Sequence, residues 1–260
     1  MPAYLDYNAS APIDERVLSR MVDIYQTHFG NADSRTHSFG TDAKEIVGSA
    51  RKTIAEILNV GSDDVLFTSG STESNNMAIQ GMLDYALKSG RNHFITTAIE
   101  HKSILEAMKY MEKQGCKVDY VAPDSSGRIK AEQITALLTE QTLLVSMMHV
   151  NSETGIIQPI EELGEILAQK NIYYHVDATQ GFGKLNDSLR KTKYDMLSIT
   201  AHKIGGPQGI GALILKRDQR YLRPPITPLM YGGPQERGYR PGTTPVALVA
   251  GFALAADLCD

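Results

Sequence analysis

The stretch Asp195-Met-Leu-Ser-Ile-Thr-Ala-His-Lys-Ile-Gly-Gly-Pro-Gln-Gly-Ile-Gly211 joins an apolar run to a glycine-rich segment. The apolar run is typical of a buried strand, and the glycines that follow indicate a loop. Lys203 therefore falls where a buried strand meets a loop. An amine partly removed from water loses some of its preference for the charged form, and a neutral amine can condense with an aldehyde. This position favours a lysine that forms a Schiff base.

A second apolar run, Ile172-Tyr-Tyr-His-Val-Asp177, ends on a carboxylate. A carboxylate that faces a pyridinium nitrogen lets pyridoxal phosphate (PLP) act as an electron sink, and the same cofactor condenses with a lysine through its aldehyde. Asp177 and Lys203 together therefore predict a PLP site built on two strand ends.

Apolar runs alternate with helical patterns along most of the chain. Strands are predicted over 65–68, 94–97, 118–122, 143–150, 172–177, 195–200 and 211–216. Helices are predicted over 14–28, 41–58, 72–89, 103–114, 131–138 and 160–169. This alternation predicts an α/β fold with a mostly parallel sheet sandwiched by helices. In such sheets ligands bind beyond the carboxyl ends of the strands.

The domain organisation is expected to have three parts. Residues 1–13 form an N-terminal arm, 14–250 form a PLP-binding large domain, and 251–260 begin a helix that leads to a small domain absent from the chain. The segment from Thr243 to Asp260 starts like a capped helix with proline in its first turn and then stops without a terminating signal. We expect the chain to be a piece of a longer protein or half of a split enzyme.

The composition of the chain limits which partners it could bind and in which compartment it is expected. The 26 basic and 30 acidic residues give a net charge of -4 and are scattered, so direct contact with nucleic acid or a membrane surface is not expected. The longest apolar stretch, 246–254, is far shorter than the roughly 20 residues of a membrane span. The two cysteines, Cys116 and Cys259, show no disulfide or metal-site spacing, and no export signal precedes the fold. A cytoplasmic protein is expected.

The segment Thr68-Ser-Gly-Ser-Thr-Glu-Ser74 lies between a predicted strand and a predicted helix. Backbone N–H groups, hydroxyls and the positive end of a helix dipole meet at such a point, which favours phosphate. A turn with a capping box over 71–74 explains the same residues without a ligand. Ser71 and Thr72 are candidate phosphate ligands only in combination with other residues.

Other polar residues also follow predicted strands: His101, Asn151, Gln180, Thr200 and His202. A histidine ring could stack on a flat cofactor and shuttle protons, and a carboxamide could bind a phenolic oxygen. Taken singly, each residue is explained equally well by a turn or a strand end. Taken together, they converge on the edge of the sheet where ligands bind.

A metal centre is the main chemical rival, because histidines and aspartates at strand ends also build hydrolase sites. Such a centre could use His101, His149, His175 and His202. It requires close groups of His, Asp and Glu, and the sequence offers none beyond His175-Val-Asp177. No metal is therefore expected.

The ordered motifs of the chain resemble the cysteine desulfurases of the NifS and IscS type, in the class V aminotransferase group of PLP enzymes of fold type I. The resemblance runs from residue 4 to about residue 250. It is carried by these segments: Tyr4-Leu-Asp-Tyr-Asn-Ala, Phe29-Gly-Asn31, Phe67-Thr-Ser-Gly-Ser-Thr-Glu-Ser74, Glu100-His-Lys102, Met148-His-Val-Asn151, His175-Val-Asp-Ala-Thr-Gln180, His202-Lys203, Gly209-Ile-Gly-Ala-Leu213 and Glu236-Arg-Gly-Tyr-Arg-Pro-Gly-Thr243.

The resemblance implies two catalytic residues, Lys203 and His101. Lys203 would hold PLP as a Schiff base and later move the α-proton of the substrate, and His101 would stack on the ring and assist proton transfer. The other cofactor contacts would be Asp177 at the pyridinium nitrogen and two carboxamides at the phenolic oxygen, Asn151 and Gln180.

The phosphate contacts implied by the resemblance come from two subunits. Within one subunit they are Ser71, Thr72, Thr200 and His202. Thr243 would join them from the partner subunit of a homodimer.

In the implied reaction L-cysteine becomes L-alanine, and its sulfur passes to an enzyme cysteine as a persulfide and then to acceptor proteins. The sulfur would serve iron–sulfur cluster assembly or the modification of tRNA or DNA. In this family the sulfur-accepting cysteine and an arginine for the substrate carboxylate lie in a C-terminal small domain. Cys116 and Cys259 lack that loop context, so the 260-residue chain is expected to be inactive in desulfuration by itself.

Two alternatives stay open at this point. The chain could belong to another PLP enzyme of the group, such as a selenocysteine lyase or an aminotransferase. It could also be a non-catalytic or split-enzyme subunit that only binds PLP.

Overall fold

In the part of the chain that the structure describes, seven strands form one central sheet. They are β1 Val65–Thr68, β2 His93–Thr97, β3 Lys117–Val121, β4 Thr142–Met148, β5 Tyr173–Asp177, β6 Met196–Thr200 and β7 Gly211–Leu215. The computed structural model describes residues 3–260 and orders the strands β1-β7-β6-β5-β4-β2-β3. Only β7 is antiparallel to its neighbours, so the other six strands point the same way. The predicted mostly parallel sheet is confirmed.

Helices cover both faces of this sheet. They are α1 Glu15–Thr27, α2 Ser38–Leu58, α3 Ser71–Gln80, α4 Leu83–Ser89, α5 Lys102–Lys113, α6 Ala131–Thr135, α7 Ile160–Ala168, α8 Asn186–Lys191 and α9 Val246–Asp257. Because both faces are covered, neighbouring strand residues are all buried and divide between two cores. Phe67 and Ile95 lie in the core that includes α2 and α9, whereas Leu66 and Phe94 lie in the core that includes α3 and α5. This double burial explains the near-continuous apolar runs in the sequence.

The single helix predicted over 72–89 is wrong, because the structure divides it into α3 and α4 at Gly81. The carbonyl of Gly81 accepts the N–H of Thr227, so a distant segment crosses the helix at this point. A Cβ at position 81 would lie 2.9 Å from the Cβ of Ile226. Glycine is therefore required by close packing, which the local pattern of the sequence does not report.

The last helix, α9, packs on α1 and α2. Val249 and Phe252 are fully buried there, and Phe252 meets Phe182 edge to face at 6.0 Å between ring centroids. The apolar C-terminal helix thus finds its packing partners within the described chain. The domain boundary expected at residue 250 falls inside this continuous helix.

The expected arm of residues 1–13 is described from residue 3 onward, and its first two residues lie outside the described part. Ala11 N–H donates to His202 O and Asp14 N–H to Gly205 O, both at 2.9 Å. These two bonds hold the arm on the loop that carries Lys203. Among residues 3–260, no helix is both long and apolar enough to cross a bilayer.

Candidate active site

A cavity of about 630 Å³ opens beyond the carboxyl ends of the parallel strands. The arm lines one side of it through Asp6, Asn8, Ala9 and Ser10. Eight of the ten residues predicted from the sequence also line it: Ser71, Thr72, His101, Asp177, Gln180, Thr200, His202 and Lys203. The structure thus brings together residues that are scattered over more than half of the chain.

Asp177 is the buried acid of this cavity, with 5% of its surface exposed. Its Oδ1 accepts the backbone N–H of Thr179 at 3.0 Å and the Thr179 hydroxyl at 2.5 Å, and its Oδ2 accepts Nδ2 of Asn75 at 2.8 Å. Three donors orient the carboxylate before any ligand binds. The residues of this arrangement therefore suit a ligand with a positively charged N–H group at this depth.

Sequence reasoning missed Asn75 and Thr179. A usable signal existed for Thr179, because a hydroxyl two residues after an aspartate often closes a turn on that carboxylate. Asn75 lies one helical turn after Ser71, so the two residues share a face of α3. That spacing shows only that Asn75 lies on the same face of α3 as Ser71. It does not show which group the Asn75 side chain bonds.

The loop before α3 has the geometry of an anion site. Gly70 is the N-cap of the helix and no side chain caps it, so the capping box that we considered as the alternative is wrong. Gly70 adopts φ +148°, where a side chain is rarely tolerated. Ser71 and Thr72, at the start of α3, line the cavity together with Thr200 and His202, and the first N–H groups of a helix are free to bind an anion.

The Ser71 hydroxyl ties this loop to the buried acid. It lies 2.6 Å from the hydroxyl of Thr179, which in turn bonds Asp177. The anion site and the acid site are therefore fixed at a set separation by a short chain of hydrogen bonds.

Lys203 lies at the mouth of the cavity, where its Nζ donates to the carbonyl oxygens of Asn8 at 2.5 Å and Ala9 at 2.7 Å. Partial burial lowers the pKa of this amine below its usual 10.5, and the positive charge of nearby Lys184 lowers it further. Asp6 and Asp177 act in the opposite direction. A lowered pKa provides more of the neutral amine that attacks an aldehyde.

Gln180 lines the cavity and donates from Nε2 to the carbonyl of Asn8 at 2.9 Å. Asn151 does not line it: its Oδ1 accepts the N–H groups of Glu153 and Thr154, and its Nδ2 donates to Ile99 O. The carboxamide of Asn151 thus holds the turn after β4. Its contact with a phenolic oxygen stays a prediction.

Thr243 lies outside the cavity, in a shallow pocket with Phe29 and Asn31. Within one chain it is therefore absent from the phosphate site. Its proposed role requires a second subunit and stays a prediction.

Glu100 is fully buried and close enough to Asp177 for the two carboxyl groups to repel. Burial raises the pKa of Glu100 to about 8, although bonds from the Thr97 hydroxyl and the Met148 N–H, both to Oε1, act against the shift. Its Oε2 has no hydrogen-bond partner in the described part of the protein. Glu100 therefore keeps its proton at neutral pH.

Two of the four histidines considered for a metal are enclosed in the core. His175 lies between the hydroxyls of Ser146 and Ser198, each at 2.9 Å. His149 is fully buried, and burial lowers its pKa to about 4. Over residues 3–260 the structure contains no group of three His, Cys, Asp or Glu side chains placed to hold a metal ion.

The residues present fit PLP. Its phosphate matches the uncapped N-terminus of α3, its pyridinium N–H matches Asp177, and its aldehyde matches Lys203. The buried carboxylate with its three donors is the decisive feature, because a simple anion site would not need one. Neither Cys116 nor Cys259 lines the cavity.

Comparison with known proteins identifies the family of the chain. The family model for class V aminotransferases matches residues 3–260, and the chain belongs to that family. The chain is 43% identical over 258 residues to the cysteine desulfurase IscS of Rickettsia typhi. The aligned residues are 99% of this chain and 62% of that protein. The resemblance predicted from the motifs is confirmed, and PLP is the cofactor of this family.

Two solved structures show the same fold. DndA from Streptomyces lividans is 46% identical with a TM-score of 0.91, covering 99% of this chain and 72% of that one. SspA in complex with cysteine is 38% identical with a TM-score of 0.91, covering 98% of this chain and 72% of that one. The chain thus spans somewhat under two thirds of the curated relative and just under three quarters of these structures.

Proposed function

We propose that this chain is the PLP-binding part of a cysteine desulfurase, which takes sulfur from L-cysteine and releases L-alanine. The observation that carries the proposal is the single cavity in which Asp177, Lys203 and the uncapped N-terminus of α3 meet. The similarity to IscS and DndA, and the cysteine bound to SspA, support L-cysteine as the substrate.

PLP supplies an electron sink and an aldehyde, and the chain supplies the groups that hold and use them. Asp177 pairs with the pyridinium nitrogen, while Ser71, Thr72, Thr200 and His202 hold the phosphate. Lys203 provides the amine and moves a proton at the α-carbon of the substrate. His101 and Gln180 complete the contacts from the side of the cavity.

In this proposal, the cysteine that accepts sulfur is not one of the residues in 3–260 that line the cavity. Cys116 is buried within the α3/α5 core, and burial raises its pKa. Cys259 follows α9 and donates weakly to Ile204 O at 3.7 Å, away from the cavity lining. Persulfide transfer, homodimer formation with Thr243 at the partner's phosphate, and delivery to acceptor proteins belong to the proposal.

The first test is covalent attachment of the cofactor. The purified chain mixed with PLP should turn yellow, and borohydride reduction followed by peptide mapping should place the pyridoxyl group on Lys203. Lys184 is a matched control, because its Nζ also faces this region and lies 3.5 Å from Gln180 Oε1. The Lys184→Ala protein should still be labelled on Lys203. Labelling of wild type at Lys184 or elsewhere would contradict the assignment of Lys203.

The second test is turnover. Residues 1–260 alone should release little alanine or sulfide from L-cysteine, because neither Cys116 nor Cys259 lines the cavity. Robust desulfuration that is lost in Cys116→Ser or Cys259→Ser would show that one of these cysteines accepts sulfur after all.

A further inference from the structure

His101 is the N-cap of α5, and this role determines which of its ring nitrogens carries the proton. The backbone N–H of Ser103 donates to Nδ1 of His101 at 3.1 Å. A backbone N–H can only donate, so Nδ1 must accept. A neutral imidazole whose Nδ1 accepts carries its proton on Nε2.

A second donor reaches the same nitrogen through side chains. The Ser103 hydroxyl lies 2.8 Å from Nδ1, and Nδ2 of Asn75 lies 2.9 Å from that hydroxyl and 2.8 Å from Oδ2 of Asp177. The amide of Asn75 therefore donates one proton to Asp177 and the other to Ser103. The Ser103 oxygen is then an acceptor for Asn75, and its own proton is directed to His101.

This direction is not easily reversed. Turning the Asn75 amide over would place its oxygen against the carboxylate of Asp177, where two acceptors would face each other in a buried site. His175 provides the contrast, since it lies between two hydroxyls that can each donate or accept and either tautomer satisfies them. A backbone donor selects the tautomer of His101, as the Gly40 N–H does for His37 at the N-cap of α2, but of these two rings only that of His101 belongs to a residue that lines the cavity.

We propose that Asn75 and Ser103 are positioning residues that hold His101 in the Nε2–H tautomer and so make it a hydrogen-bond donor toward the molecule in the cavity. The inference rests on the proposed function, whose site it refines. Nε2 has no hydrogen-bond partner within residues 3–260, and the ring lines the cavity. Because Nδ1 caps the helix and Nε2 already carries a proton, His101 is not the base. Removal of the α-proton is left to Lys203.

The test is a direct measurement of the tautomer in the PLP-free protein. Long-range proton–nitrogen correlation spectra of protein labelled with ¹⁵N-histidine, at mildly alkaline pH, distinguish pyrrole-type from pyridine-type nitrogens. His101→Asn assigns the signal among the seven histidines and keeps an oxygen acceptor for the helix cap. A pyrrole-type Nε2 with a pyridine-type Nδ1 is expected, and a pyrrole-type Nδ1 would overturn the inference.

Two variants test the positioning role. Ser103→Ala removes the hydroxyl donor but keeps the backbone N–H, so the tautomer should persist while the Nδ1 resonance moves toward that of a less hydrogen-bonded nitrogen. Asn75→Ala should move it in the same direction by a smaller amount. An unchanged Nδ1 resonance in Ser103→Ala would refute the role, whether or not Asn75→Ala folds.

These spectra are independent of the cofactor assignment. An Nδ1–H ring in a protein that carries PLP on Lys203 would remove this inference alone. Failure of PLP to attach to Lys203 would remove the proposed function and leave the tautomer as measured.

Discussion

The floor and the rim of the cavity are held in different ways. The floor consists of Asp177 and Asn75, which line the cavity, together with two residues behind them, Ser103, which bonds Asn75, and Glu100, which accepts the N–H of Met148; all four are buried. The rim consists of Lys203 and His202 with the arm segment 8–10, and its side chains bond mainly to backbone atoms and hydroxyls of that arm. The hydrogen bonds of the floor are therefore expected to contribute to the stability of the folded protein.

The side chains of the rim, in contrast, must be able to change their hydrogen-bond partners. Lys203 must leave the carbonyl oxygens of Asn8 and Ala9 before it can form a bond to an aldehyde. A partly exposed amine held by two carbonyls can do this at little cost, whereas Asp177 and Asn75 are buried and bonded to each other. If the proposed function is correct, the floor fixes the ligand geometry in advance, whereas the reactive amine of Lys203 stays mobile at the rim.

The largest effect is expected from Glu100→Gln as a function of pH. The folded protein keeps the Glu100 proton up to about pH 8, while the unfolded chain loses it near pH 4.5. The free energy of unfolding of wild type should therefore fall, relative to Glu100→Gln, by about 4 kcal/mol as pH rises through this window. Urea denaturation of both proteins at several pH values in this range measures the difference in the free energy of unfolding. Parallel pH profiles for the two proteins would mean that Glu100 is ionised in the fold.

Asp177→Ala should be the next most harmful change to the floor. It removes the acceptor of the buried Nδ2 of Asn75 and of the half-buried Thr179 N–H, while the Thr179 hydroxyl keeps Ser71 as a partner, at a cost of roughly 2–4 kcal/mol in the free energy of unfolding. Asp177→Asn is the matched control and should cost less, because one oxygen acceptor is retained. Equal stability of wild type and Asp177→Ala would break the contrast between floor and rim.

Asn75→Ala should destabilise the PLP-free protein by about 1–2 kcal/mol, since it removes two hydrogen bonds of a fully buried side chain. Asn76 is the neighbouring control, because it is only half-buried and its side chain bonds only within α3, from Nδ2 to the carbonyl of Thr72 and from Gln80 to its oxygen. Asn76→Ala should stay near wild type in the same denaturation experiment. A loss as large as that of Asn75→Ala would assign the effect to α3 itself.

Lys203→Met should have the smallest effect on stability, within about 0.5 kcal/mol of wild type in the PLP-free protein. The same variant should lose covalent attachment of PLP completely, as followed by borohydride reduction. Strong destabilisation by Lys203→Met would show that the rim is as structural as the floor.

The strand ends were predictable because burial on both faces of a parallel sheet produces apolar runs that end abruptly. For this reason Asp177, Lys203 and the loop before α3 could be expected at one edge of the sheet, where they line one cavity; their roles stay predictions. The turn around Asn151 was one of the two explanations that the sequence left open, because its Oδ1 accepts the nearby N–H groups of Glu153 and Thr154. The break at Gly81 was not predictable, since it depends on Ile226 and Thr227 far along the chain.

Local patterns in the sequence determined the type and order of the elements, the α/β class and the position of the reactive groups at one edge of the sheet. The tertiary structure decided the hydrogen-bond partners of Asp177, the carbonyls that hold Lys203 and the accepting role of Nδ1 in His101. Asn75 meets Ser103 and Asp177 across 28 and 102 residues of sequence. Periodicity reports which residues are buried, but the direction of a hydrogen bond depends on which donor the fold brings to which acceptor.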